Sequence, residues 1–412
     1  MIANEGTSRQ AGRESSAHWL DLARLQVYSV AMLIIYVAIL VIWAWVTNGF
    51  TSDKLMRPGA DFSVFWSASH LSLRDSPIKV YDFASLRPII AAFGSMPAGD
   101  EFFLPWLYPS TFLLFVLPLS LLPHALSYLL FISVTGFTYA ASLVTLLGLR
   151  ARRRSAIWLP IIASPGVFLV AMIGQNSFLT AGIAAWSILH MEKRPVLSGM
   201  LVGLLCIKPQ LAMVFPVALV AARAWKTLWI AGLTALLILL ASVFLFGWET
   251  VQAFFTNATL IRERLLDHGK DVWSAAPTVL AATLLAGGSV GVAYLLHGVV
   301  AALAICAAFQ VWRKNSSPGL RAAVLAVATL LVSPYVWYYE LTWLGIAIAG
   351  LVSDGVRRGW LRGERELLVA AWLLPLYLGI NRGLDLPQIG PIILVLMMLM
   401  ILRRMRVPAV AA

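Results

Sequence analysis

The sequence predicts an all-α, polytopic transmembrane helical protein, and three observations carry that prediction. Hydrophobic residues make up 60% of the 412 and charged residues 12%, whereas ordinary soluble domains carry roughly 25% charged residues. Apolar runs of about 20 residues, the length that crosses ~30 Å of hydrocarbon, recur along the whole chain. The Lys and Arg residues behind the formal net charge of +12 sit in short clusters between those runs, as cytoplasmic anchors do. That placement argues against nucleic acid as a partner and makes membrane lipids the surroundings.

The elements follow in order. Residues 1–26 form a polar tail with Arg9, Arg13 and Arg24. The apolar run that follows is too long for a signal h-region and has no small-residue cleavage site after it, so it reads as a retained first helix. Candidate spans are 27–48, 109–123, 125–149, 156–173, 177–191, 195–207, 211–222, 228–247, 289–312, 322–335, 337–352, 367–380 and 388–402. The expected total is about 11–13 spans. All belong to one transmembrane domain, 27–406, followed by a short tail, 407–412.

Basic clusters orient the chain. Placing Arg150 to Arg154, Lys193-Arg194, Arg313-Lys314, Arg357-Arg358 and Arg403-Arg404 inside puts both termini in the cytoplasm. Segments 49–108, 174–177, 208–210, 248–288, 333–340 and 381–387 then face outward. One conflict arises: 109–149 must cross an odd number of times, yet it reads as two segments split around Pro118 and Pro123. Either one is re-entrant or the charge rule fails there. In the first outward loop, Phe62, Phe65, Trp66 and Ser69 recur at helical spacing, which predicts a short juxtamembrane helix with aromatic anchors lying along the membrane surface. The 248–288 loop, with Trp248, Phe254, Phe255 and Trp273, reads similarly.

A charge within the bilayer costs about 2.5–3.5 kcal/mol on insertion scales, so charged and polar residues interrupting apolar runs mark candidate sites. Several share the outward side. Asp61, at the start of the predicted helix, is either a helix-capping carboxylate or a general base. Gln175 and Asn176 are either a polar hairpin or amides lining a site. Lys208, with Gln210 beyond Pro209, is either a lysine snorkelling to the interface or a cation holding a lipid-linked phosphate. Tyr335, Tyr339 and Glu340 follow the helix-breaking Pro334, and Glu340 needs a partner or water. Arg382, with Asp385, is either a solvated turn or a second phosphate-binding cation.

Other chemistries find little support. The two cysteines, Cys206 and Cys306, lie in apolar runs and indicate neither a disulfide framework nor a zinc site. The six histidines are scattered, and there is no Gly-rich phosphate loop, Ser-His-Asp set or HExxH motif. No metal and no cofactor are expected. Outward-facing chemistry has no access to cytoplasmic nucleotide sugars, so a donor there must arrive already activated and membrane-borne. A polyprenyl-phosphate sugar meets both needs.

The ordered pieces Gly59 to Ala68 around Asp61 and Trp66, Tyr81-Asp82, Tyr108-Pro109, Gly174-Gln175-Asn176, Arg194-Pro195 to Gly203, Lys208-Pro209-Gln210 and Ser333-Pro334 to Leu341 resemble glycosyltransferase family 87. Those enzymes have the GT-C fold and depend on polyprenyl-phosphate sugars. The resemblance implies a GT-C-like membrane glycosyltransferase of the bacterial plasma membrane with its active site on the extracytoplasmic side. It matches Asp61 to the proposed general base and Lys208 to a family lysine, and makes Trp66, Tyr108, Gln175, Asn176, Tyr335, Tyr339 and Glu340 candidates to bind substrate. The late motif departs from the mannosyltransferase pattern, with Tyr335, Tyr339 and Glu340 where a Trp and a His pair are common. The expected reaction moves a mannose-like hexose to an outer-leaflet glycolipid or glycan acceptor, with inversion through one carboxylate. The rival reading is a transporter or flippase of a lipid-linked sugar without catalysis, which paired broken helices in repeat-related halves would favour.

Overall fold

A computed structural model describes residues 19–52, 55–94, 104–148, 151–267, 269–314, 316–384 and 386–406. Arg9, Arg13, Arg150, Asp385 and the 407–412 tail lie outside the described residues. Among the described residues the chain is all helical, with nineteen α-helices, several 3-10 turns and no strand. The first are α1 (Leu22–Val46), α2 (Ala60–Arg74), α3 (Phe83–Gly94), α4 (Ser110–Val116), α5 (His124–Leu147), α6 (Ala151–Ile162) and α7 (Pro165–Ile173). Next come α8 (Ser177–His190), α9 (Pro195–Leu204), α10 (Val214–Ala221), α11 (Trp225–Phe246), α12 (Trp248–Asp267), α13 (Lys270–Ala275) and α14 (Val279–Leu285). The last are α15 (Val290–Arg313), α16 (Pro318–Val332), α17 (Leu344–Arg358), α18 (Glu364–Asn381) and α19 (Gly390–Met405).

Four helices, α1, α5, α11 and α15, are long and apolar enough to cross a membrane, at 22 to 25 residues each. They leave Ile34, Val41, Trp45, Leu237, Phe244, Leu295 and Leu303 exposed on their outer faces, as lipid contact requires. Among the described residues, four helices, or five if the bent pair α6–α7 counts as one, meet that length and composition, against the 11–13 spans expected. The other apolar helices are shorter. Pro165 cuts the expected 156–173 run, and Pro165, Pro195 and Pro318 each open a helix, having no N–H for the preceding turn.

Prolines also shape the stretch from 109 to 148. The α4 helix has seven residues and passes into a 3-10 turn, Leu117–Leu121, that holds Pro118. Only α5 in this stretch is long enough to cross. Between α6 and α7 the chain bends by 53°, because Pro165 forces Ser164 into an extended conformation. The carbonyl of Ala163 at that bend accepts the Tyr36 hydroxyl at 3.0 Å, and the Tyr36 ring stacks on Phe168. The break therefore docks α1.

Interior packing relies on small residues. A Cβ added at Gly199 or Gly203 of α9 would fall 2.7 Å from the backbone oxygens of Thr227 and Ala231 on α11, so this glycine pair permits the two helices to approach closely. Alanine-rich α16 is buried along nearly its whole length, from Gly319 to Val332, against α15 and α17.

Two expectations are corrected by burial. The α2 helix forms as predicted, but Phe62, Phe65 and Trp66 are buried against Tyr81, Trp106, Phe112 and Leu113 rather than laid along a bilayer. Protein rather than headgroups covers its apolar face. Arg404, read as one of the anchoring positives, is 3% exposed. Its guanidinium bonds Asp354 of α17 (2.6 Å), Glu364 of α18 and the Gly359 carbonyl (2.9 Å). A buried arginine is tolerable only with such satisfaction, and this one staples three helices together.

Candidate active site

Two glycines in the left-handed conformation, Gly59 (φ +79°) and Gly174 (φ +83°), bring the site together. The first precedes α2, and its N–H bonds the Met172 carbonyl at 2.7 Å. The second ends α7, and a Cβ there would sit 2.6 Å from the Phe62 Cβ. The N-terminus of α2 thus lies directly on the α7–α8 hairpin. We expect Gly174→Ala to lose most activity and to lower Tm, since the new methyl must displace α2 and adopt an unfavourable φ. Retention of both activity and Tm would refute this packing account.

Gly59, not Asp61, is the N-cap of α2, so the Asp61 carboxylate is not used in capping. Its Oδ2 accepts from Gln175 Nε2 at 2.7 Å. Asp61 keeps some accessible surface, yet enough protein surrounds the carboxyl that burial pushes it up to about 6. The Gln175 hydrogen bond and the positive charges of Arg382 and Lys208 oppose that rise.

From Gln175 a continuous chain of polar contacts leads inward. Gln175 Oε1 accepts from the Tyr108 hydroxyl (3.1 Å) and from the Asn176 backbone N–H (3.0 Å). The Tyr108 carbonyl in turn accepts from Tyr81 Oη (3.1 Å), and the Tyr81 carbonyl accepts from Asn257 of α12 (2.7 Å). Asn176 Oδ1 accepts from Lys208 Nζ at 3.2 Å. Lys208 Nζ pairs with Glu340 Oε1 at 2.6 Å, and Glu340 Oε2 accepts from the Trp337 N–H at 2.7 Å. The ammonium also lies over the Tyr108 and Tyr339 rings, at 5.5 and 5.6 Å.

The structure therefore gathers Asp61, Tyr108, Gln175, Asn176, Lys208, Tyr339 and Glu340 from five separate stretches. Lys208, at 4% exposure, and Glu340, at 1%, satisfy one another, which answers why each is tolerated in an apolar run. Lys208 lies between two 3-10 turns with non-helical backbone (φ −146°, ψ 72°), where Pro209 prevents the helix from continuing.

The remaining candidates lie elsewhere or at the rim. Trp66 is buried in the core around α2, with its indole N–H donated to the Leu122 carbonyl at 3.0 Å. Tyr335 is half-buried and shares a hydroxyl contact of 3.1 Å with Tyr294. Gln210 is partly exposed beside the Lys208 break. Arg382 is exposed, over the Tyr338 ring at 5.9 Å, with its charge close enough to act on Asp61.

Some contributors went unnoticed in the sequence. Asn381, fully buried, accepts the Leu386 N–H at 2.6 Å and donates to the Ser274 carbonyl. Gln388 donates to the carbonyls of the 273–276 turn. Together they seat the Arg382 loop on α13. Only their position beside Arg382 could have flagged them. Among the described residues no group of His, Cys, Asp or Glu is arranged to hold a metal ion.

The model of a protein family described as glycosyltransferase family 87 matches residues 106–334, more than half of the chain. That span contains Tyr108, Gln175, Asn176 and Lys208, begins after Asp61 and ends before Glu340. No curated protein and no solved structure matches the chain.

Proposed function

The chain belongs to glycosyltransferase family 87, and from that premise we propose that it transfers a sugar from a polyprenyl phosphate to an outer-leaflet lipid or glycan acceptor, with Asp61 as general base. The observation that carries this reading is a carboxylate at the mouth of a buried polar network, held by Gln175 beside the exposed Arg382. On the orientation drawn from the basic clusters, the α2 end of the molecule faces outward in a bacterial plasma membrane.

In the proposed step Asp61 takes the proton of an acceptor hydroxyl, and the acceptor oxygen attacks the anomeric carbon. The bond from that carbon to the phosphate oxygen breaks, and polyprenyl phosphate leaves with the bonding pair. Arg382 is the cation best placed to stabilise the leaving phosphate. The sequence offered that role to Lys208 and Gln210 as well, but the Lys208 charge is already neutralised by Glu340.

The engagement of the other candidate acids supports inversion. A retaining double displacement needs a second free carboxylate about 5 Å away. Glu340 is held by Lys208 and the Trp337 N–H. Asp75 pairs with Lys79 at 2.6 Å. Asp82 accepts from the Ser85 hydroxyl (2.6 Å) and the Ala84 N–H.

The test is to offer the purified protein, in lipid nanodiscs, a panel of polyprenyl-phosphate sugars with lipid acceptors and to identify products by mass spectrometry. A product of inverted anomeric configuration is expected; a product of retained configuration, or none from any donor, overturns the proposal. The base must be ionised to act, so kcat/KM should fall about tenfold per pH unit below an apparent pKa near 6 and level off above it. A rate flat from pH 5 to 8 would count against Asp61.

A further inference from the structure

We propose that Gln175 is a positioning residue that fixes the Asp61 carboxylate for proton abstraction, rather than a residue that touches substrate. The inference rests on the reading of Asp61 as the general base and assigns what surrounds it.

The geometry is directional. Gln175 is 4% exposed, so little of it is available to a ligand. Its amide oxygen receives two donors, the Tyr108 hydroxyl and the Asn176 N–H. Flipping the amide would turn its NH2 group against both, leaving buried donors unpaired. The Nε2 side is thereby obliged to face Asp61, to which it donates at 2.7 Å. A neutral N–H donated to one carboxylate oxygen holds the group in one rotamer and favours its ionised form. The other oxygen is left for the acceptor hydroxyl.

Gln175 is itself supported from two directions. Tyr108 is held through its carbonyl by Tyr81. Asn176, next in the chain, is held by Lys208, and Lys208 by Glu340. The buried ion pair thus serves as the foundation of the amide network. A proton acceptor displaced by about 1 Å can lose on the order of 100-fold in rate, which gives such support a functional consequence. The charged and titratable groups acting on Asp61 are Arg382, Lys208, Tyr108, Tyr338 and Tyr339. None of these except Tyr108 changes in the variants below.

The experiment compares wild type, Gln175→Leu, Tyr108→Phe and Asp61→Asn in nanodiscs, using whichever polyprenyl-phosphate sugar the wild type accepts. It reads kcat and acceptor KM from pH 5 to 8. It also reads the pH midpoint of the Tm difference from Asp61→Asn, which needs no substrate. For Gln175→Leu, kcat at neutral pH should fall at least ~10-fold with KM nearly unchanged. Both the acid limb and the Tm midpoint should move up by roughly one pH unit, as loss of a charge-assisted hydrogen bond implies. Tyr108→Phe, which removes only one oxygen, should move both in the same direction by less, and it decides the matter if Gln175→Leu fails to fold. A rise in KM with kcat unchanged would make Gln175 a substrate contact and overturn the proposal, as would an unmoved limb and midpoint. Full activity in Asp61→Asn would instead defeat the base assignment. A dead Asp61→Asn with an unmoved limb in Gln175→Leu defeats only the positioning role.

Discussion

Asp61→Asn is expected to lose transfer by ~100-fold or more, the range removed with a general base, while remaining folded. Asparagine is isosteric and can still accept from Gln175 Nε2, so the α2–α7 contact survives. Stability should not fall at neutral pH and should rise. The folded-state carboxyl near 6 lies above its ordinary value of 3.8, so the fold holds the proton more tightly than the unfolded chain does. The protonated acid therefore stabilises fully below about 3.8, and that contribution is lost as pH climbs through 6. Above it the ionised group costs about 3 kcal/mol on this reckoning. The neutral amide escapes that cost. A variant that is inactive yet equal or higher in Tm at pH 7.5, with the difference vanishing toward pH 4, is the expected pair of results. Full activity, or a large drop in Tm, would sink the assignment. Stability sacrificed at one residue for reactivity is common where a site needs a strained or desolvated group.

Lys208→Met is the second large effect, expected chiefly in stability. It leaves Glu340, 1% exposed, as an uncompensated buried carboxylate and strips Asn176 Oδ1 of its donor. Breaking one side of such a pair costs about 3–5 kcal/mol, whereas replacing both partners can be close to neutral. Lys208→Met combined with Glu340→Gln should therefore recover most of the lost Tm, because the amide keeps the bond from the Trp337 N–H without the charge. Thermal unfolding of wild type, the two single variants and the double variant forms the cycle that measures the coupling. Equal Tm for Lys208→Met and wild type, or no recovery in the double variant, would show that the pair does not hold the break between α9 and α10. If instead Lys208 chiefly binds donor phosphate, the single variant would keep its Tm and show a raised donor KM.

Much of the site was legible because its polar residues stand out against an apolar background. Asp61, Gln175, Lys208, Glu340 and Arg382 were each conspicuous as polar interruptions. Their roles were harder to read. Trp66 and Tyr108 carry the same aromatic signal, yet one anchors the core around α2 and the other orients Gln175. The long outward loop was expected to lie on the membrane surface. Its aromatics instead form a packed core, since periodicity reveals an apolar face but not what covers it. Arg404 looked like any other anchoring positive, because its partners Asp354 and Glu364 sit on other helices.

Composition and apolar patterning alone identify a helical membrane protein and locate its polar interruptions. Those properties arise from transfer free energy and proline geometry, which act locally and can be summed along a segment. Which apolar runs are whole helices, which charges neutralise one another, and that Asp61 meets Gln175 through two left-handed glycines emerge from the packed fold. Those outcomes depend on contacts between residues far apart in the chain, such as Lys208 with Glu340, and the energy of a buried charge is set by its neighbours in space.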